Sequence, residues 1–164
     1  VSSEEVCQVY IDRIKDVNPI LNAVVENRFR YALREAKQVD SYLNTTSLNI
    51  RELEKIKPLL GVPITVKESC SVKDMSNCVG LQSRKGFKAD MDGEAVGKIR
   101  SCGGIILLVS NTPEMCLSWE CYNHVIGHTN NPYDPSYSSA GSSGGELELK
   151  IRCSDKTTSV GSTR

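Results

Sequence analysis

The sequence predicts an α/β fold, a mixed sheet flanked by helices, and two observations carry that prediction. Two amphipathic helical stripes occupy the first 43 residues, and two apolar runs of strand length follow them. The second run is fed by a short helix that ends in a glycine pair, the helix–glycine–strand order of a layered α/β domain.

Each element has its own local signal. Ser2 and Glu5 stand at capping-box spacing ahead of Val6, Tyr10, Ile14 and Val17, which recur at helical intervals until Pro19 is expected to close the helix. Residues 21–25 are apolar and β-leaning. A second helix is predicted over 27–43, with Phe29, Leu33, Ala36, Val39 and Leu43 on one side, and residues 44–49 read as a polar loop. Residues 59–67 read as a buried strand entered through a tight turn, and 83–92 as loop. Residues 94–102 should form a helix, Gly103-Gly104 its stop, and 105–109 a strand. Asn111-Thr112-Pro113-Glu114 looks like a loop running into a helix start. Beyond Gly127 the chain is rich in Asn, Pro, Ser and Gly, and long irregular loops of this kind are more often working sites than filler.

With 164 residues, 39% hydrophobic and 24% charged, the chain can bury one sizeable core. Twenty basic and twenty acidic residues cancel, so no global field draws it to nucleic acid or lipid. Seven cysteines at irregular spacing, an odd count, point to reduced thiols in an intracellular setting, cytoplasmic or membrane-associated, rather than a disulfide framework. No apolar run has membrane-spanning length. The first residue is Val1 rather than Met, which leaves open an anchor or targeting segment ahead of it.

Two segments carry chemistry. Lys67 ends the apolar run 59–66, and a lysine so placed ordinarily snorkels to water. Its alternative is a buried lysine held neutral, with a pKa drawn about 3 units below ~10.4, which makes it a general base for a hydroxyl. Ser138-Ser139-Ala140-Gly141-Ser142-Ser143-Gly144-Gly145-Glu146 is either a flexible linker or a loop whose glycines bring backbone N–H groups close to a reacting centre, with hydroxyls to shuttle a proton. No Gly-Lys-Ser/Thr follows it, so a phosphate loop is set aside.

Taken together these segments resemble the amidase-signature family. Gly61-Val62-Pro63-Ile64-Thr65-Val66-Lys67-Glu68 is similar to its lysine motif, and residues 138–146 to the first part of its Gly/Ser signature. Gly103-Gly104-Ile105, Ser110-Asn111-Thr112-Pro113-Glu114 and Asn130-Asn131-Pro132-Tyr133-Asp134 match in the same order, as does the end of the opening helix, Val17-Asn18-Pro19-Ile20-Leu21-Asn22-Ala23-Val24. Glu114 with Cys116, and the Asn-Asn-Pro-Tyr-Asp run, point to the animal fatty-acid amide hydrolase branch of the second type. The resemblance implies hydrolysis of non-peptide carbon–nitrogen amide bonds by a Ser–cis-Ser–Lys mechanism. Lys67 would be the catalytic lysine and Ser142 the bridging serine; a second serine, in a Gly-(Thr/Ser)-Asp-Ile-Gly-Gly-Ser motif, would attack the carbonyl beside an oxyanion hole. It implies a small-molecule amide as partner, no metal or organic cofactor, and no nucleic acid.

The resemblance covers residues 1–146 and then breaks. Leu147-Glu148-Leu149-Lys150-Ile151-Arg152-Cys153 is charged where the family is small and glycine-rich, and the nucleophile motif is absent. Ser154-Asp155 with Ser159, and Gly161-Ser162, are faint echoes without paired glycines, so residues 147–164 are expected to be a divergent, disordered tail. Ala140 stands where a glycine is common. The family's sheet takes strands from later sequence, so an incomplete fold with uncovered strand edges, poor stability and no activity is expected; a truncated relative that only binds ligand or a full-length copy is the alternative.

Three weaker constellations remain. His124 and His128 have the i,i+4 spacing of two helical metal ligands, but Gly127 argues against a helix. A cysteine paired with either histidine has no motif behind it. Trp119 and Tyr122, near Met115, read as core packing first and as the lining of an acyl-chain pocket second.

Overall fold

The computed structural model describes residues 1–154, with side chains through residue 150. A three-stranded sheet in the order β1-β3-β2 lies at its centre: β1 (Val24–Asn27) runs antiparallel to β3 (Ile105–Ser110), and β2 (Pro63–Lys67) runs parallel to it. The helices are α1 (Ser3–Leu21), α2 (Phe29–Thr45), α3 (Ile50–Ile56), α4 (Glu94–Ser101) and α5 (Gly144–Ser154); a small hairpin pairs β4 (Tyr122–Asn123) with β5 (Gly127–His128). The α/β class and the mixed sheet are as the sequence predicts.

Helix α1 starts at the predicted capping box: the Ser2 side chain accepts from Glu5 N, and Glu5 Oε2 accepts from Ser2 N. Cys7, Ile11, Ile14, Val17 and Leu21 form its buried stripe. Pro19 does not close the helix, which continues to Leu21. Asn22 takes the left-handed conformation and donates its N–H to Asn18 O, while Asn18 Oδ1 accepts from the N–H of Ala23 and Val24. These bonds satisfy the Asn18 carbonyl and the N–H groups just past the helix end.

The stripes of α1 and α2 pack on one face of the sheet, where Cys7, Ile11, Ala32 and Ala36 meet Ile105, Leu107 and Leu108 of β3 and Leu149 of α5. On the other face Val66, Ile106 and Val109 pack against Val72, Met75 and Val96. Leu107 and Leu108 share a face because the β2–β3 register shifts between Ile64 and Thr65, so Ile64 pairs with Ile106 and Thr65 with Leu108. That bulge breaks the strict alternation and lets a fully buried strand serve both clusters.

Three expectations change. Helix α3 falls just after the predicted loop, capped by Asn49, which accepts from Glu52 N and whose own N–H is accepted by the Glu52 carboxylate. The predicted helix start near Glu114 is only a 3-10 turn, Glu114–Cys116, because Met115 and Cys116 take positive φ. Residues 147–154 continue α5 without a break at Glu146, and Glu148 and Leu149 are buried; helix-favouring Glu, Leu and Lys in this stretch account for it. The rest of the expected tail, with Ser159 and Ser162, lies outside the described residues. Among the described residues β2 has no strand on its outer edge, and no helix is long and apolar enough to cross a membrane.

Candidate active site

Lys67 ends β2, and the Ser142–Ser143 pair immediately precedes α5. Their side chains meet: Lys67 Nζ donates to Ser142 Oγ at 2.7 Å and to Ser143 Oγ at 3.2 Å. The peptide bond between Gly141 and Ser142 is cis. No carboxylate of the described residues forms an ion pair with Lys67, so its hydrogen-bonding partners here are hydroxyls. Lys67 and Ser142 are half-buried rather than sealed. Lys67 thus lies between the two sequence readings, neither sealed from water nor free in it. Beside them opens a cavity of about 430 Å³, lined by Thr65, Ser143 and Glu146 and by apolar Tyr10, Ile14 and Leu147.

Two glycines allow the serine loop to sit where it does. A Cβ on Gly141 would lie 2.7 Å from the Trp119 carbonyl carbon and 2.8 Å from Ser118 O. One on Gly145 would lie 2.7 Å from both Asn111 N and Asn111 O. Any side chain at either position would push the loop off the backbone that supports it. Ala140 has φ 59°, a left-handed conformation that favours glycine.

Polar groups that the sequence reading did not assign hold the surroundings. Glu68 is 1% exposed. Its carboxylate accepts from Ser76 Oγ at 2.8 Å, Cys78 N at 2.6 Å and Val79 N at 2.8 Å, and its backbone carbonyl accepts from Asn77 Nδ2. This anion organises residues 76–79 next to the lysine, and burial, followed by the hydrogen bond to Glu68 and its charge, raises the Cys78 thiol pKa. A second network centres on Asn123, which donates to Asn111 Oδ1 and Thr112 O and accepts from Val125 and Ile126 N–H. It ties the β4–β5 hairpin to the end of β3. The adjacency of Lys67 and Glu68 was a legible signal; contacts between Asn111 and Asn123 had none.

The remaining candidates separate. His124 lies in the hairpin turn and His128 in β5, neither on a helix: Tyr122 Oη meets His124 Nδ1 at 3.0 Å, and His128 Nε2 is 3.7 Å from Glu120. No cluster of three or more His, Cys, Asp or Glu suited to a metal ion occurs among the described residues. Trp119 is 90% exposed, and Met115 and Tyr122 are also exposed, so the core-packing reading is overturned.

The Amidase family model matches residues 5–147. Fatty-acid amide hydrolase 2-A of Danio rerio is 47% identical over 146 residues, 89% of this chain and 27% of that protein. Fatty-acid amide hydrolase 2 of Homo sapiens is 42% identical over 151 residues, 92% of this chain and 28% of the relative. The solved structure of a fatty acid amide hydrolase superposes with a TM-score of 0.84 at 24% identity, covering 93% of this chain and 26% of that one, a likeness of fold. The chain thus spans little more than a quarter of the curated relatives it matches.

Proposed function

This chain belongs to the amidase-signature family, and from that premise we propose that it carries the lysine and bridging-serine part of a serine amide hydrolase site. The substrates are non-peptide amides, with fatty-acid amides first among them. The 2.7 Å contact between Lys67 Nζ and Ser142 Oγ carries the reading; the names of the zebrafish and human relatives support the substrate class.

In this reading the Lys67 amine takes a proton from the Ser142 hydroxyl, which takes one in turn from the attacking serine. The acyl group then forms an ester with that serine, the same relay returns a proton to the leaving amine, and water releases the acid. Lys67 and Ser142 move protons only; the nucleophile and oxyanion donors belong to the Gly-(Thr/Ser)-Asp-Ile-Gly-Gly-Ser motif.

A second reading follows from the sequence after Glu146, which lacks that motif. On its own the present polypeptide then binds ligand or a full-length copy without turning it over.

A chimera tests the chemistry. Residues 1–146 of this chain replace the matching segment of the zebrafish relative, and hydrolysis of a long-chain fatty-acid amide is followed. The chimera should be active, and Lys67→Met or Ser142→Ala should each cost about 10²–10⁴-fold in rate. Full activity in both variants would refute the assignment. For the chain alone, a fluorophosphonate probe should label no serine; labelling abolished by Ser142→Ala would overturn its inactivity.

A further inference from the structure

We propose that Glu146, acting through Thr65, is the positioning residue that sets the distance between Lys67 and Ser142. The inference rests on the relay reading of that pair. Thr65 and Lys67 are two apart on β2, so their side chains leave the strand on one face, while Ile64 and Val66 turn to the cluster behind it. Thr65 Oγ1 donates to Glu146 Oε2 at 2.5 Å. Glu146 belongs to the first turn of α5, and that turn closes onto the serine pair through Leu147 N donating to Ser143 O at 3.0 Å. Strand and helix are therefore bridged twice, by Thr65 with Glu146 and by Lys67 with Ser142.

The two bridges differ in stiffness. Lysine reaches its partner on a flexible four-carbon stem and cannot fix where the partner stands. Threonine is short and β-branched, with few rotamers, so its bond to the helix sets the spacing of the two elements.

Glu146 Oε1 is buried and has no hydrogen-bond partner among the described residues. Ser110 Oγ is in the same condition, and its Cβ lies 3.1 Å from where a Cβ on Gly145 would stand. A half-buried carboxylate with one oxygen sealed and unsatisfied is a cost that packing alone would avoid with an apolar residue. Its one bond to Thr65 is what the arrangement gains. Gly145, with no side chain, lets the helix come down far enough to make it.

Trace acetylation with acetic anhydride, read lysine by lysine by mass spectrometry across pH, tests this in the full chain. Ser142→Ala first shows how Lys67 reacts without its hydroxyl. Glu146→Ala and Thr65→Val should each move Lys67 reactivity at least about threefold toward that of Ser142→Ala, while Glu146→Gln and Thr65→Ser, which keep an acceptor and a donor, stay within about twofold of wild type. Lys15 and Lys98 should not change, which separates positioning from loss of fold; Thr65→Val is near-isosteric and serves should Glu146→Ala fail to fold. If Ser142→Ala changes Lys67 but Thr65→Val does not, the positioning role is overturned and the relay stands. If Ser142→Ala also leaves Lys67 unchanged, the relay reading is overturned and the positioning role with it.

Discussion

Lys67 Nζ lies 2.7 Å from Ser142 Oγ across 75 residues of sequence. The contact forms because β2 delivers the lysine at its C-terminal end and the turn before α5 delivers the serine over the same end. A close-packed glycine on each side of the serine pair holds that turn against the loop after β3 and the loop carrying Trp119.

Gly145→Ala should destabilise the chain by about 1–3 kcal/mol, because its methyl group would meet the Asn111 backbone rather than a side chain able to swing away. Urea denaturation would read this as a lower midpoint at unchanged slope.

Asn123→Leu should cost roughly 2–4 kcal/mol. It removes one of the two donors to Asn111 Oδ1, the side-chain donor to buried Thr112 O, and the acceptor of the half-buried N–H groups of Val125 and Ile126. Thermal unfolding checks the loss, and hydrogen exchange should rise first at Val125 and Ile126.

Ala140→Gly should stabilise by roughly 0.5–1 kcal/mol. It relieves the left-handed φ of 59° but gives back part of the gain as entropy of the unfolded chain. A fall in melting temperature would contradict this.

Much of this architecture is legible in the sequence, and the reasons are local. The Ser2–Glu5 box and the recurrence of Val6, Tyr10, Ile14 and Val17 mark α1, although the buried face is centred one residue on, at Cys7, Ile11, Ile14, Val17 and Leu21, and Tyr10 is exposed; the run from Ile105 to Val109 reads as a strand. Helix α3 was missed although Asn49 and Glu52 form the same kind of box, because polar residues around it read as loop. Lys67 and Ser142 could be named from their motifs. Pairing could not: nothing in an apolar run says that β3 takes β1 on one side and β2 on the other. Thr65 with Glu146, 81 residues apart, is invisible for the same reason.

Cys7 supplies a pH dependence. Burial, then the Asp40 charge, pushes its thiol up to about 11. A group whose pKa is raised on folding stabilises the fold fully below its unfolded value and loses that contribution as pH rises through the folded one. The stability difference between wild type and Cys7→Ala measured at pH 7 should therefore shrink between about pH 9 and pH 11. A difference that stays constant over that window would show that the thiol is not held protonated.

The most direct test of the central claim puts a titratable atom where the serine oxygen stands. In Ser142→Cys the new thiol lies beside the Lys67 amine, which can take the thiol proton and hold the resulting thiolate as an ion pair. The rate of alkylation of residue 142 by iodoacetamide, followed against pH by mass spectrometry, should give a midpoint at least about one unit below that in Ser142→Cys combined with Lys67→Met. Equal midpoints in the two proteins would mean that the amine and the residue at 142 do not meet in solution.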